Sequence, residues 1–164
     1  MSKRRKKGRS SRTGGLAQTK SKARTESLFA KACQIHQRGD LSGAEAAYLA
    51  IVKSAPGFAP ALYHLALVAR ATGRLPDAVG YVERAIQLEP TSPLFLSTLG
   101  NLLGEMERWE LGREFLERAH TLDPEDLTVR FNLGKALGHT GEPEGAAACF
   151  RHIVSQTPRE PDAW

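Results

Sequence analysis

Five carboxylates crowd one stretch of the chain: Glu105, Glu107, Glu110, Glu114 and Glu117. Acids at that density can do general acid–base work when a fold brings two of them together in a cleft with their protonation states pushed apart. Here they interleave with Arg108, Arg113 and Arg118, and on a helix residues three and four apart are neighbours. The stretch therefore reads as a solvated helical face laced with ion pairs. The histidines His36, His64, His120, His139 and His152 are scattered and form no paired Cys-x2-Cys and His-x3-His set of the kind that holds a metal. No glycine-rich loop follows a strand to cradle a phosphate. Cys33 and Cys149 lie far apart within helical patterns, which suits neither a disulfide framework nor a metal site, and both are expected as buried or half-buried thiols. The sequence thus assigns no catalytic residue, no metal ligand and no cofactor.

Charge carries a second kind of chemistry. Lys3, Arg4, Arg5, Lys6, Lys7 and Arg9 form the cluster "KRRKKGR" within residues 1–24, which hold ten Lys or Arg and no acid. Residues 25–164 hold thirteen bases and eighteen acids, so the net charge of +5 conceals a basic arm before an acidic body. The arm is rich in Gly, Ser and Thr and shows no apolar periodicity, and it is expected to be disordered. It could contact nucleic acid or another polyanion weakly through phosphates, serve as a localisation address, or simply solvate the start of the chain. No aromatic is interleaved in it, so base stacking is not expected there. The chain lacks eighteen consecutive apolar residues and its N-terminus lacks the apolar centre of a secretory signal, so no membrane partner and a cytoplasmic location are expected.

The elements that must position any of these groups follow from a period. Pro56, Pro90, Pro124 and Pro158 recur every 34 residues and divide the body into units 25–58, 59–92, 93–126 and 127–160. Small residues recur at the eighth position of each unit (Ala32, Ala66, Gly100, Gly134) and at the twentieth (Ala44, Ala78, Gly112, Ala146). Large apolar residues recur at the twenty-fourth, as Tyr48, Val82, Leu116 and Phe150, and Ile51, Ala85, Ala119 and Ile153 fill the twenty-seventh. In the second unit Leu62, Leu65, Ala66 and Ala69 make one helical stripe, ended by Gly73, which tolerates the left-handed conformation. Pro76 and Asp77 open a second helix, whose stripe is Ala78, Val82, Ala85 and Ile86 and which Pro90 stops. Each unit is two helices that approach closely at the small positions.

This pattern resembles the tetratricopeptide repeat, with its small residues at positions eight and twenty, Ala at twenty-seven and Pro at thirty-two, over residues 25–164. The resemblance implies an all-α fold, a right-handed superhelical solenoid of stacked antiparallel helix pairs. Three positions depart from it: Lys31 stands for the Leu of the first unit, Arg130 for the bulky fourth residue of the last, and Glu107 for the turn glycine of the third. The ending "PDAW" places Trp164 at the fourth position of a fifth unit, residues 161–164. The expectation is a piece of a longer repeat protein whose open last face could self-associate.

In proteins similar to this one the first helix of each unit lines a concave surface at positions two, five, nine, twelve and thirteen. Carried over, these hold Phe29, Cys33, His36 and Gln37 in the first unit, and Tyr63, Leu67 and Arg70 in the second. The third contributes Leu94, Ser97, Asn101 and Glu105, and the fourth Thr128, Phe131, Lys135 and His139. The implied function is a non-catalytic scaffold that binds a protein partner, a peptide or a helix, in this groove. The carboxylate clamp that grips chaperone tails is not matched, because frames starting at the first or second unit lack its cations. An alternative is a substrate-holding or oligomerising module of a bacterial sulfotransferase or glycosyltransferase.

Overall fold

The computed structural model describes residues 10–156, with side chains from residue 19 onward. Among the described residues there are eight helices and no strand: α1 (Ser10–Gln37), α2 (Leu41–Ser54), α3 (Ala59–Ala71), α4 (Leu75–Leu88), α5 (Pro93–Glu105), α6 (Trp109–Leu122), α7 (Leu127–His139) and α8 (Pro143–Gln156). The chain divides into two compact units, Met1–Ala61 and Leu62–Trp164. Local chemistry accounts for the helix starts. Asp40 accepts from Gly43 N at 2.8 Å ahead of α2, and Asp126 accepts from Thr128 N at 2.7 Å and Val129 N at 3.1 Å ahead of α7. Each carboxylate satisfies amides that have no partner in the first turn of a helix. Prolines stand in the first turns of α4 and α5, where their missing N–H does no harm.

Helix α1 corrects one expectation. It runs for 28 residues against 13 or 14 for the others, so residues 10–24 of the basic arm are helical. No proline interrupts the segment, and Ala17, Gln18, Lys20, Lys22, Ala23 and Arg24 are good helix formers. Once the packed turns beyond Phe29 supply the nucleus, each further residue adds a hydrogen bond without a new nucleation cost. The cluster from Lys3 to Arg9 and the terminal Trp164 lie outside the described residues.

In the first unit Ala32 on α1 and Ala44, Tyr48, Ile51 and Val52 on α2 form the buried core. The Phe29 ring packs edge-on against Phe58 at 5.2 Å and beside Tyr48 at 5.9 Å. The Tyr48 hydroxyl sits 3.5 Å from Cys33 Sγ and 3.4 Å from His36 Nδ1, and burial raises its ionisation well above the ordinary phenol range. In the second unit Leu96, Ala119 and Val129 form one buried cluster flanked by Ile86 and Phe115. Leu116, Leu133, Ala136, Leu137 and Ala146 form another, flanked by Trp109, Cys149 and Phe150.

The small positions permit this packing. A Cβ added to Gly100 would lie 2.6 Å from Leu116 Cγ and 2.8 Å from the Gly112 carbonyl oxygen, and one added to Gly112 would lie 2.7 Å from the Gly100 carbonyl oxygen. Helices α5 and α6 therefore touch backbone to backbone. The turns inside the pairs are equally regular. Gly39, Gly73 and Gly141 have φ of 82°, 76° and 82°, and Glu107, which occupies the same place in the third pair, has φ of 60°. The turn keeps its form there: Arg108 N donates to Leu103 O at 2.9 Å, as Arg74 N does to Ala69 O at 2.8 Å and Glu142 N to Leu137 O at 2.9 Å. Such capping bonds hold the left-handed residue in place and satisfy the last carbonyls of the helix.

Arg130 stands where the repeat pattern asks for a bulky apolar side chain. One guanidinium nitrogen donates to the Pro124 carbonyl at 2.6 Å, while Nε is buried without a partner, as are His120 Nδ1 and His152 Nε2. Burial, then the charges of Arg130 and His152, hold the His120 imidazole below its ordinary value of 6.5, with Glu125 opposing. Burial likewise raises the Cys149 thiol, with Arg130 opposing.

Three outcomes follow from this packing. Leu in place of Gly112 should destabilise the protein by about 3 kcal/mol by forcing α5 and α6 apart, whereas Leu at exposed Glu110 should cost almost nothing, both read by urea unfolding. Glu107→Gly should stabilise by about 1 kcal/mol, because a left-handed non-glycine residue is replaced by one that adopts that conformation freely. Because folded His120 binds a proton less readily than the unfolded chain does, stability should fall as pH is lowered through 6.5. Arg130→Leu, which removes the neighbouring cation, should make the urea midpoint depend less steeply on pH in that window.

Candidate functional site

Within the second unit the first helices of successive pairs bring polar side chains to one place. Asn101 and Glu105 stand one turn apart on α5, Asn132 and Lys135 stand three residues apart on α7, and Arg70 lies in the last turn of α3. With Gly100, Gly104, Trp109 and Leu116 they line a cavity of about 300 Å³. The two glycines belong to its wall, and at each of them the space a side chain would take is filled by α6. A Cβ at Gly104 would lie 2.6 Å from the Trp109 indole, so glycine is what lets that ring lie against α5. The indole also stacks on the His139 imidazole, 3.8 Å between centroids and 1° between planes, joining the start of α6 to the end of α7.

The polar groups divide into committed and free. Arg70 grips Glu105 with two nitrogens, at 2.6 Å and 3.1 Å, in the fork geometry that suits guanidinium and carboxylate. That pair is half-exposed and neutralises itself. Lys135 makes no ion pair among the described residues, and the amides of Asn101 and Asn132 make no hydrogen bond to any of them. The site therefore offers two carboxamides, each able to donate and accept, and one cation beside an indole.

Of the residues expected in the groove, Arg70, Asn101, Glu105 and Lys135 come together at this cavity. Tyr63 is half-buried against His64 and Phe95, with ring centroids at 5.5 Å and 5.6 Å, and Leu67 is half-buried. Ser97 is buried with its hydroxyl donating to Leu94 O at 3.1 Å, so it presents little to a ligand. Leu94 and Thr128 are exposed, Phe131 is exposed and edge-on to Phe150 at 5.7 Å, and His139 is held by Trp109. In the first unit, Phe29, Cys33 and His36 gather around Tyr48, and Gln37 is exposed at the end of α1. Sequence reasoning missed Asn132 and Trp109. Asn132 was visible as the residue one turn before Lys135 on the same helical face, while Trp109 shows itself only once Gly104 is seen to leave room for it.

Residues 37–93 and 97–161 match the tetratricopeptide repeat family. No curated protein matches the sequence significantly. Among solved structures it is similar to MamA from Desulfovibrio magneticus RS-1, at 22% identity and a TM-score of 0.73, over 82% of this protein and 78% of that one. It is similar also to YrrB, a TPR protein with an unusual peptide-binding site, at 23% identity and a TM-score of 0.74, over 89% of this protein and 74% of that one. A third likeness is to an O-GlcNAc transferase of Thermobaculum terrenum, at 24% identity and a TM-score of 0.76, over 87% of this protein and 30% of that one. At these identities the likeness is one of fold. Helix pairs turned by a left-handed residue every 34 positions, together with a family match across most of the sequence, show that the chain belongs to the tetratricopeptide repeat family.

Proposed function

We propose that the protein is an interaction scaffold for other proteins and that the cavity between α5 and α7 holds an extended peptide. The observation that carries this reading is the pair of uncommitted amides, Asn101 and Asn132, lining one cavity from neighbouring first helices. A carboxamide can accept from a backbone N–H and donate to a backbone carbonyl at once, and two of them in line can hold an extended backbone whatever its side chains. A helical ligand has those groups already engaged within itself, which favours the extended form. Lys135 adds a cation that makes no ion pair among the described residues, so an acidic side chain on the peptide gains a charge-assisted contact. Trp109 supplies an apolar surface beside it. The peptide-binding site named for the structurally similar YrrB supports the reading.

The test starts from a displayed library of random linear peptides, with binders measured by fluorescence anisotropy. Replacing Asn101 and Asn132 together by Ala should weaken the selected peptides by roughly tenfold or more, and Lys135→Ala should weaken acidic ones selectively. Glu110→Ala, outside both the groove and the cavity, should change nothing. Selected peptides that bind the double variant as tightly as the parent would place the ligand elsewhere.

A further inference from the structure

The two compact units carry opposite charge. Residues 1–61 hold thirteen Lys and Arg against three acids, whereas residues 62–164 hold ten against fifteen. In the first unit part of that charge is set on a helix. Lys20, Arg24 and Lys31 are exposed on α1, and none makes an ion pair with a described residue. At about 100° per residue they fall within about 40° of one another, a single stripe along roughly 16 Å of helix. Phe29, which packs against the rest of the unit, projects from the other side of the helix, and buried Ala32 lies about 100° round from the stripe. The one acid of α1, Glu26, also lies off the stripe.

We infer that this stripe binds the sugar-phosphate backbone of nucleic acid. The contact is independent of the peptide cavity, which belongs to the other unit. Nucleic acid presents a linear array of phosphates, one charge per about 1.7 Å of duplex axis, which a straight row of cations can follow. Recognition is through phosphates and not bases, because the aromatic of the described part of α1, Phe29, lies off the stripe and is engaged with Tyr48 and Phe58. A lipid surface fits less well. A helix lying in a membrane interface needs a broad apolar face, and Leu28 is the only large apolar residue exposed on the described part of α1.

The experiment uses the full-length protein and a fluorescein-labelled mixed-sequence 20-base-pair DNA duplex, with an RNA duplex of the same sequence as a second arm, titrated across a range of salt. The parent should bind both with a steep inverse dependence on salt. Changing Lys20, Arg24 and Lys31 together to Ala should flatten the slope of log K against log salt by two to three, since each phosphate neutralised contributes about 0.9. Circular dichroism should show the variant folded. An unchanged slope in the triple variant would overturn the inference, as would binding that vanishes when residues 1–9 are deleted while the triple variant binds like the parent. So would retention of the parent on phosphatidylserine vesicles with none on either duplex. Concentration-dependent association of the protein with itself, abolished by the triple variant in the absence of nucleic acid binding, would assign the stripe to the acidic unit of a second copy instead.

Discussion

Helices α5 and α6 meet at the backbone, Gly100 against Gly112, and much of the second unit is organised around that contact. With no side chain between them, the two helices come close enough for Leu116 to lie over Gly100, and Leu116 in turn belongs to the cluster that joins α6 to α7 and α8. The same absence makes the site. Gly100 and Gly104 line the cavity, and the atoms missing from α5 admit Leu116 and Trp109 of α6, which line it too. Packing and binding are two uses of one deletion of volume.

Charged groups act around this frame as positioning devices more than as sources of stability. The Arg70–Glu105 fork ties the end of α3 to the end of α5 at the rim of the cavity. Arg113 does the same for α6, donating to Glu117 on its own helix and to Glu142 and Thr140 in the turn before α8. Exposed pairs of this kind contribute little each, but their fixed geometry sets where the helix ends sit. The acid-rich stretch is thereby explained: Glu105 is drawn across to another helix, Glu117 is paired, and Glu107, Glu110 and Glu114 remain exposed.

The helix pairs were legible in the sequence because their determinants are local and periodic. Ala44, Ala78, Gly112 and the residues at Tyr48, Val82 and Leu116 are all buried where their register requires. What escaped the reading depends on contacts that no window contains. The helical turns from Ser10 continue a helix whose packed residues lie further along α1, although their own composition suggests disorder. Arg130 was visible as a departure, but its burial beside His120 and His152 requires three helices to be in place. The groove positions follow from register along each first helix and cannot say which side chains stay free. Tyr63 and Phe131 are taken up by neighbouring rings, and Asn132 lies one register position away from those that the resemblance supplied.

The obstacle at each close approach also bears on how such a sequence can change. At Gly100 and Gly112 a side chain would strike a carbonyl oxygen, which no second substitution can shorten. At Gly134 it would strike the ring of Phe150 and the Cβ of Cys149, 2.9 Å and 3.1 Å away, and the ring can be traded for something smaller. Descendants of this protein are thus free to redistribute volume between α7 and α8 by paired exchange. The crossing of α5 and α6 offers no such path, and lineages can leave it only by moving the helices themselves.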